Sequence, residues 1–597
     1  MFLLLVGKNL RSYIFSFLTL SDLKKFVFLD KVLFHEILFY LKNNLKSLKS
    51  WNIINLDSNQ LNYMLHFFQH LTEIEIVAQN LNLPKIILNF PNTLKILKLN
   101  SLPYEDFSSS LKVINEKKIL LHEFTLKINI DSNVEILSTE ELEIFFAHQK
   151  ELRTFKLKIK KNETNKTTIL MLANILKFIS ETDSSVSYLE LENLDYDENI
   201  LNFLCKNIKY LKIRHFSSNS KNRETFLKIN LSTFQLIERC FPNLTSLSIT
   251  DDDYNNNTEE NYSFLFQNVP NFVNRIEKLE TLILNKYGFP IDFEQMNILR
   301  LLTIPKNLTS FGLSSNKSFN NNIIQEISSK NFGLTYLNLD YSNVDDFGAE
   351  ILANSETIKT IEKLSIKFCR KITSSGLSAI FTNCERLKDL DVRGIKGLRN
   401  KTLRILTENL NLVEFEKIYL HENNLKNETI ENFMFKFRNS LKVLEISKMD
   451  YFGKFSSSFL GNGSKVFKMV KLKKLDVSFN ISAVTDEMIL RIINLAPNLT
   501  SLNVKSCEKL TDFFFIAIEN SIWSESLTKL NCKYCLFSDF SLTIPRAITK
   551  SLKLTYLNMD EKQEGVLIKS LQYFKANKNA SLNKKFLFLN GYKLKLN

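Results

Sequence analysis

Four groups of residues have types and spacings that could do chemistry. His66 and His70 stand four apart, a spacing that on a helix would turn two imidazoles toward one metal ion. Cys532-Lys-Tyr-Cys535 has the C-x-x-C spacing of zinc and redox sites. Asp251-Asp-Asp253 and Asp345-Asp346 bring carboxylates together, as acid/base pairs require. Each group lacks something its chemistry needs. No Glu follows His66 as in H-E-x-x-H, no second cysteine pair stands at zinc-finger spacing, and the aspartates fall in stretches that read as turns and helix caps. The other histidines, His35, His122, His148, His215 and His421, are scattered. The patterns G-x-x-x-x-G-K-[ST], G-x-G-x-x-G and G-x-S-x-G do not occur. The expectation is a chain with no catalytic residue, no cofactor and no metal, which acts by binding.

The elements that would position such residues form a repeat. Ile361 to Cys384 runs as Ile361-Glu-Lys-Leu364-Ser-Ile366-Lys-Phe-Cys369, then Ile372-Thr373-Ser-Ser-Gly376-Leu377, Ile380 and Cys384. The pattern restarts at Leu387-Lys-Asp-Leu390-Asp-Val392. In L-x-x-L-x-L the first, fourth and sixth residues face inward, and the alternation of the last three reads as a short strand. Such starts occur at Leu71, Leu94, Leu121, Leu152, Val186, Ile208, Leu244, Leu279 and Leu308. They continue at Leu334, Ile361, Leu387, Phe415, Leu441, Leu472, Leu499, Leu527 and Leu554. Eighteen repeats result, irregular to about 307 and regular from 308. Thr373, Thr485 and Thr511 stand where helix caps belong, ahead of Leu377, Ile380 and Phe381, of Met488, Ile489 and Ile492, and of Phe515, Ile516 and Ile518. A unit of strand, turn and helix cannot bury its apolar face alone, but stacked units can. The expected fold is α/β: a leucine-rich-repeat solenoid, a horseshoe with a concave parallel sheet and convex helices.

The expected domains are a helical segment over 1–50, the repeats over 51–560, and a cap over 561–597. Within the cap, Val566, Leu567, Leu571 and Phe574 suggest a helix, and Phe586–Leu589 with Lys593–Leu596 a hairpin. His215–Asn230 and Thr250–Glu260 read as insertions. The cysteines keep the register of the repeat: Cys369, Cys507 and Cys535 each lie three residues after the last inward strand position, and Cys532 occupies an inward position itself. Cys205, Cys240 and Cys384 precede strands. They read as buried small hydrophobes. Seven cysteines, an odd number, point to reduced thiols and a cytoplasmic or nuclear location. No apolar run approaches the length of a bilayer span, and no membrane partner is expected. The net charge of +14 is spread along the chain rather than gathered in one arm, so nucleic acid is not the expected partner.

The surface that the register exposes is the concave one. Its solvent-facing strand residues include Lys363, Ser365 and Lys367; Asp389, Asp391 and Arg393; Lys417, Tyr419 and His421; and Val443, Glu445 and Ser447. They continue with Lys474, Asp476 and Ser478; Ser501, Asn503 and Lys505; and Lys529, Asn531 and Lys533. Mixed charge with few aromatics suggests a polar interface for a target protein whose identity the pattern does not encode.

Residues 6 to 41 carry no repeat. A helix through Leu10, Ile14 and Leu18 is followed by Ser21, placed to cap a second one with Leu23, Phe26 and Val27 on one side, and then by an apolar segment from Val32 to Leu41. Ile14-Phe-Ser-Phe-Leu18, Leu20-Ser-Asp-Leu23 and Val27 resemble the F-box, the motif that binds the adaptor Skp1 in cullin-based ubiquitin ligases. Val6-Gly7 stand where that family has Leu-Pro, and Asp30–Phe34 where it has a Cys-x-x-Trp-like segment. The repeats, with Cys and [IL]-[TS]-[DS] at fixed places, resemble the cysteine-containing subclass found in F-box/leucine-rich-repeat proteins and in the antagonist-of-mitotic-exit family. The resemblance implies a substrate-recognition subunit of a Skp1-cullin-F-box type ligase. Ile14, Phe17, Leu18, Leu20, Leu23 and Val27 would meet the Skp1-like adaptor of the cullin complex, and the concave face would hold the target. The alternative is a repeat scaffold or regulator without ligase coupling.

Overall fold

The computed structural model describes residues 47–48, 65, 71–77, 81–103, 105–130, 140–161, 166–182, 184–192, 203–215, 237, 239–251, 278–285, 307–312, 314, 320–329, 333–423, 425–449, 468–481, 483–537, 547, 554, 556–559, 586–589 and 592–595. The F-box-like residues, His66 and His70, both insertions apart from their strand ends, and the cap helix over Val566 to Phe574 lie outside the described residues.

The chain divides into two compact units, Met1–Leu308 and Thr309–Asn597. In the first, β1 (Ser47–Leu48), β2 (Glu73–Val77), β3 (Ile96–Pro103), β4 (Glu123–Ile130), β5 (Thr154–Lys161), β6 (Tyr188–Glu192), β7 (Tyr210–His215), β8 (Ser246–Asp251) and β9 (Thr281–Asn285) pair in sequence order, every pair parallel. Helices α1 (Leu83–Ile87), α2 (Glu105–Glu116), α3 (Glu140–His148) and α4 (Lys166–Glu181) lie between the strands.

The second unit repeats the plan with three-residue strands: β10 (Ser310–Gly312), β11 (Tyr336–Asn338), β12 (Lys363–Ser365), β13 (Asp389–Asp391), β14 (Lys417–Tyr419) and β15 (Val443–Glu445). It goes on through β16 (Lys474–Asp476), β17 (Ser501–Asn503), β18 (Lys529–Asn531) and β19 (Tyr556–Asn558). These pair in parallel order, and β20 (Phe586–Leu589) joins β19 in the same sense. Then β21 (Tyr592–Lys595) turns back antiparallel on β20, the hairpin the sequence suggests. Between these strands lie α5 (Asn321–Ser329), α6 (Asp346–Ala353), α7 (Glu356–Thr360), α8 (Ser374–Asn383), α9 (Asn400–Glu408), α10 (Asn427–Lys436), α11 (Asp486–Leu495), α12 (Phe513–Glu519) and α13 (Trp523–Ser526). Each unit is thus a mixed α/β stack of strand-and-helix repeats on a parallel sheet.

Each of the 18 starts read from the sequence is followed two residues later by the first residue of a strand, β2 to β19, and every start residue is buried. The middle residue of each short strand is apolar and paired with its counterpart, so Leu337, Leu364, Leu390, Ile418, Leu444, Leu475, Leu502, Leu530 and Leu557 form one buried row. A second buried row lies two residues on, through Leu339, Ile366, Val392, Leu420, Ile446, Val477, Val504, Cys532 and Met559. The helices fill the space behind these rows: Phe124 of β4 meets Phe145 of α3 at 5.1 Å, and Phe415 meets Phe433 of α10 at 5.4 Å. In-phase burial of this kind is the main source of stability, since no unit closes a core by itself.

Two devices link consecutive repeats. At the helix start, Thr373 caps α8 by accepting from Ser375 N, and Thr485 caps α11 by accepting from Met488 N, as the sequence indicates. The first residue of a helix also reaches the next repeat. Asp346 accepts from Thr373 N at 2.7 Å, Asp486 from Thr511 N at 3.1 Å, and Asn400 from Lys426 N at 2.8 Å. At α12 the burial differs from expectation: Phe514 is buried beside Phe515 and Ile518, and Ile516 is half-exposed, because the helix begins two residues past Thr511.

The second device follows each strand. Cys369 Sγ donates to Leu339 O, Asn423 Nδ2 to Val392 O, Asn480 Nδ2 to Ile446 O, Cys507 Sγ to Val477 O and Cys535 Sγ to Val504 O. These residues share one place in the repeat. Each satisfies a buried carbonyl of the repeat before it, which burial requires. The cysteines therefore donate hydrogen bonds as well as fill space.

Candidate functional site

The side of the second unit's sheet away from the helices is where the sequence places a binding surface. Its geometry follows from alternation: from β11 on, the first and third residues of each strand are half-buried or exposed while the residue between is buried, and two residues further on Lys367, Arg393, His421, Lys505 and Lys533 are half-buried. Ser447 and Ser478, expected to face solvent, are instead buried, because their hydroxyls turn onto His421 and Asp476. The parallel register aligns them in rows, Lys363, Asp389, Lys417, Val443, Lys474, Ser501 and Lys529 in one, and Ser365, Asp391, Tyr419, Glu445, Asp476, Asn503 and Asn531 in the next.

Much of the second row holds the fold. Asp391 accepts from Arg393 N, Asp476 from Ser478 N, Asn503 from Lys505 N and Asn531 from Lys533 N, each making the turn that ends its strand. Other acids are met by neighbours on the same face. Asp389 accepts from Lys417 Nζ at 2.9 Å. The Arg393 guanidinium forks onto Asp391, lies 3.8 Å from Glu445, and packs over the Tyr419 ring at 5.2 Å. Asp476 also accepts from Asn503 Nδ2 at 2.7 Å. Burial raises the carboxyls of Asp340 and Glu445 above their ordinary range, and hydrogen-bonded Asp391 holds Arg393 still more firmly charged. His421, bonded to Ser447 at 2.8 Å, is pushed down by burial.

The lysines differ. Among the described residues, no ion pair and no side-chain hydrogen bond engages Lys363, Lys367, Lys474, Lys505, Lys529 or Lys533. Lys505 lies over the rings of Phe479 and Tyr534 at 4.9 and 5.4 Å, and Lys533 lies over Tyr534 at 5.0 Å. Lys367 lies over Tyr341 and Phe368, which stack on each other at 5.0 Å.

Those rings are what the sequence reading missed. Tyr341, Phe368, Gly394, Glu422, Lys448, Phe479, Ser506 and Tyr534 occupy one place in the repeat, and all have φ between 51 and 68°. A left-handed residue re-aims its side chain, so alternation along the strand does not say where it goes. A signal was present: an aromatic stands directly before the buried donor in Phe368-Cys369, Phe479-Asn480 and Tyr534-Cys535.

In the first unit much of the strand-face charge is neutralised from within, although Lys127 of β4 has no carboxylate partner among the described residues. Lys98 pairs with Glu73 at 3.2 Å, Lys156 with Glu123 at 2.9 Å, and Lys158 with Glu192 at 2.8 Å. Glu190 sits within 4 Å of Lys158, Lys212 and Arg214. The most basic local run, Lys156 to Lys161, is strand β5, and two of its lysines face carboxylates.

Of the residues that could do chemistry, Cys532 and Cys535 are both buried. Asp345 caps α6 by accepting from Phe347 N and Gly348 N. Among the described residues no group of three or more His, Cys, Asp or Glu could hold a metal, and no helix is long and apolar enough to cross a membrane.

No protein-family model matches the chain, and no curated protein matches it in sequence. Among solved structures it is similar to one reported as the crystal structure of the Rad7 and Elc1 complex in yeast. The identity is 14% and the TM-score 0.32, over 84% of this chain and 88% of that one.

Proposed function

We propose that the chain is the substrate-recognition subunit of a ubiquitin ligase, docking on a Skp1-like adaptor and its cullin through Ile14, Phe17, Leu18, Leu20, Leu23 and Val27. The strand face of the second unit holds the target. The observation that carries the target-binding half is the run of unpaired lysines and exposed rings on a sheet whose other groups are already engaged. Such a surface keeps rigid, unsatisfied polar groups for a partner. The adaptor half rests on the F-box resemblance of residues 14–27, followed in the chain by the repeats. The subunit forms no bond itself. It contributes position, which raises the local concentration of target at the ligase.

The test is co-purification of adaptor with wild-type chain and with a Leu18→Asp, Leu23→Asp double variant. Adaptor recovered with wild type and lost from the variant is the expected result. Equal recovery, or none from either, removes ligase coupling and leaves a repeat scaffold.

A further inference from the structure

We infer that the corner of the second unit formed by β16, β17 and β18 and the turns that follow β17 and β18 is a subsite for an acidic, carboxylate-bearing segment of a partner protein. This rests on the reading that the strand face binds the target, and adds where the first hold is made and by what chemistry.

Four ammonium groups, those of Lys474 and Lys529 at the starts of β16 and β18 and of Lys505 and Lys533 two residues past the ends of β17 and β18, have no carboxylate partner among the described residues. Adjacent strands lie about 4.8 Å apart and residues four apart along a strand roughly 13 Å, so the four lysines cover about 10 by 13 Å. Elsewhere on the same face Lys417 is neutralised by Asp389 and Arg393 by Asp391 with Glu445 nearby, and Lys363 stands alone rather than in a group. Lys505 is instead held between the rings of Phe479 and Tyr534, and Lys533 against Tyr534. A ring fixes an ammonium without cancelling its charge, which stays available to an incoming anion. The cluster at the other end of the face provides the contrast. Lys367 lies over Tyr341 and Phe368 in the same way, but there the Asp340 carboxylate stands beside it. Rings and lysines recur at both places. At the β16–β18 corner the nearest described carboxylate, Asp476 of β16, is taken up by Ser478 N and Oγ and by Asn503 Nδ2, and among the described residues it pairs with none of the four lysines.

The extent of the corner selects a short acidic peptide over a nucleic acid. A phosphate backbone needs a groove that follows it over many charges. Here the basic corner is bounded by Asp476 of β16 itself and gives way on β15 and β13 to Glu445, Asp391 and Asp389, which would repel a continuing polyanion. A peptide can carry acid over three or four residues and then change character.

The experiment uses the full chain and a fluorescein-labelled dodecapeptide of alternating Glu and Ser, read by anisotropy. Gln/Ser and Lys/Ser counterparts and a twelve-nucleotide single strand serve as comparisons. The Glu/Ser peptide should bind, more weakly as salt is added, while the Gln/Ser and Lys/Ser peptides do not. Lys505→Ala with Lys533→Ala should weaken binding by about tenfold or more, Lys505→Arg with Lys533→Arg should retain it, and Lys505→Glu with Lys533→Glu should admit the Lys/Ser peptide instead. Thermal melting checks that the variants are folded, and none of these side chains lies in the core. Failure of the Glu/Ser peptide to bind, equal binding by the Glu variant, or binding of the oligonucleotide in its place overturns the inference. Adaptor recovery is read on the same preparations. Adaptor retained without peptide binding refutes the subsite alone, and peptide binding without adaptor refutes ligase coupling alone.

Discussion

At the residue scale the stack depends on a row of buried donors. Asn480 is the fullest example, giving Nδ2 to both Ile446 O and Val477 O and accepting from Met449 N at 2.8 Å. Asn480→Ala leaves three buried backbone groups without that partner and should cost about 2–3 kcal/mol, read as a fall in the denaturant midpoint. The cysteines have the same surroundings. Burial pushes Cys369 up to about 11 and Cys240 and Cys384 up to about 12, so at pH 8 they stay protonated. All seven thiols should resist an aromatic disulfide reagent in the folded chain and react once it is denatured; a fast-reacting native thiol would contradict this. Asp340 titrates in the opposite sense to a typical paired carboxylate. Burial raises its folded value above 3.8, so the folded state binds that proton more tightly and stability falls as pH rises through the carboxylate range. Its bonds from Ser365 Oγ and Lys367 N both fall on one oxygen that an amide retains. Asp340→Asn should match wild type at low pH and become relatively more stable toward pH 7, seen in melts from pH 3 to 7.

At the element scale, α6, α8, α10 and α12 are each started partly by the repeat before them. Asp486 heads α11 and also accepts from Thr511 N and Oγ1 ahead of α12. A double-mutant cycle on Asp486→Ala and Thr511→Val should show coupling of about 0.5–1.5 kcal/mol in chemical denaturation, and strict additivity would deny the link. The turns behave alike. Tyr341, Phe368, Phe479 and Ser506 adopt left-handed backbone at roughly 1 kcal/mol each, offset because their N–H groups donate to Lys367 O, Arg393 O, Lys505 O and Lys533 O of the following repeat. Gly394 fits the same scheme, since a Cβ there would lie 2.2 Å from the Phe368 ring. The start of every strand from β2 to β19 was legible because the Leu-type positions alternate, whereas β1, two residues long, left no pattern to read. The candidate face was legible only in part. Strand period identifies which side chains face outward, and so found Lys474, Lys505 and Lys529. It does not tell that Asp391, Asp476, Asn503 and Asn531 are occupied as turn acceptors, nor that left-handed Phe479 and Tyr534 swing beside the lysines.

At the scale of the whole molecule, the two units treat their strand faces differently. The first pairs many of its charges across neighbouring strands, as Lys156 with Glu123 and Lys158 with Glu192, and leaves Lys127 alone rather than in a cluster. The second leaves lysines unpaired beside exposed rings. Paired surface charges offer a partner little, because a new contact must first break an existing one, so the account assigns target binding to the second unit. The most direct measurement places a photo-crosslinking amino acid in cells at strand-face positions Lys363, Asp389, Lys474 and Lys529, and in parallel at helix-side positions Thr382, Arg404 and Leu490. The account predicts that protein adducts form from the strand-face positions and not from the helix side. Adducts from the helix side alone, or equally from both, would contradict it.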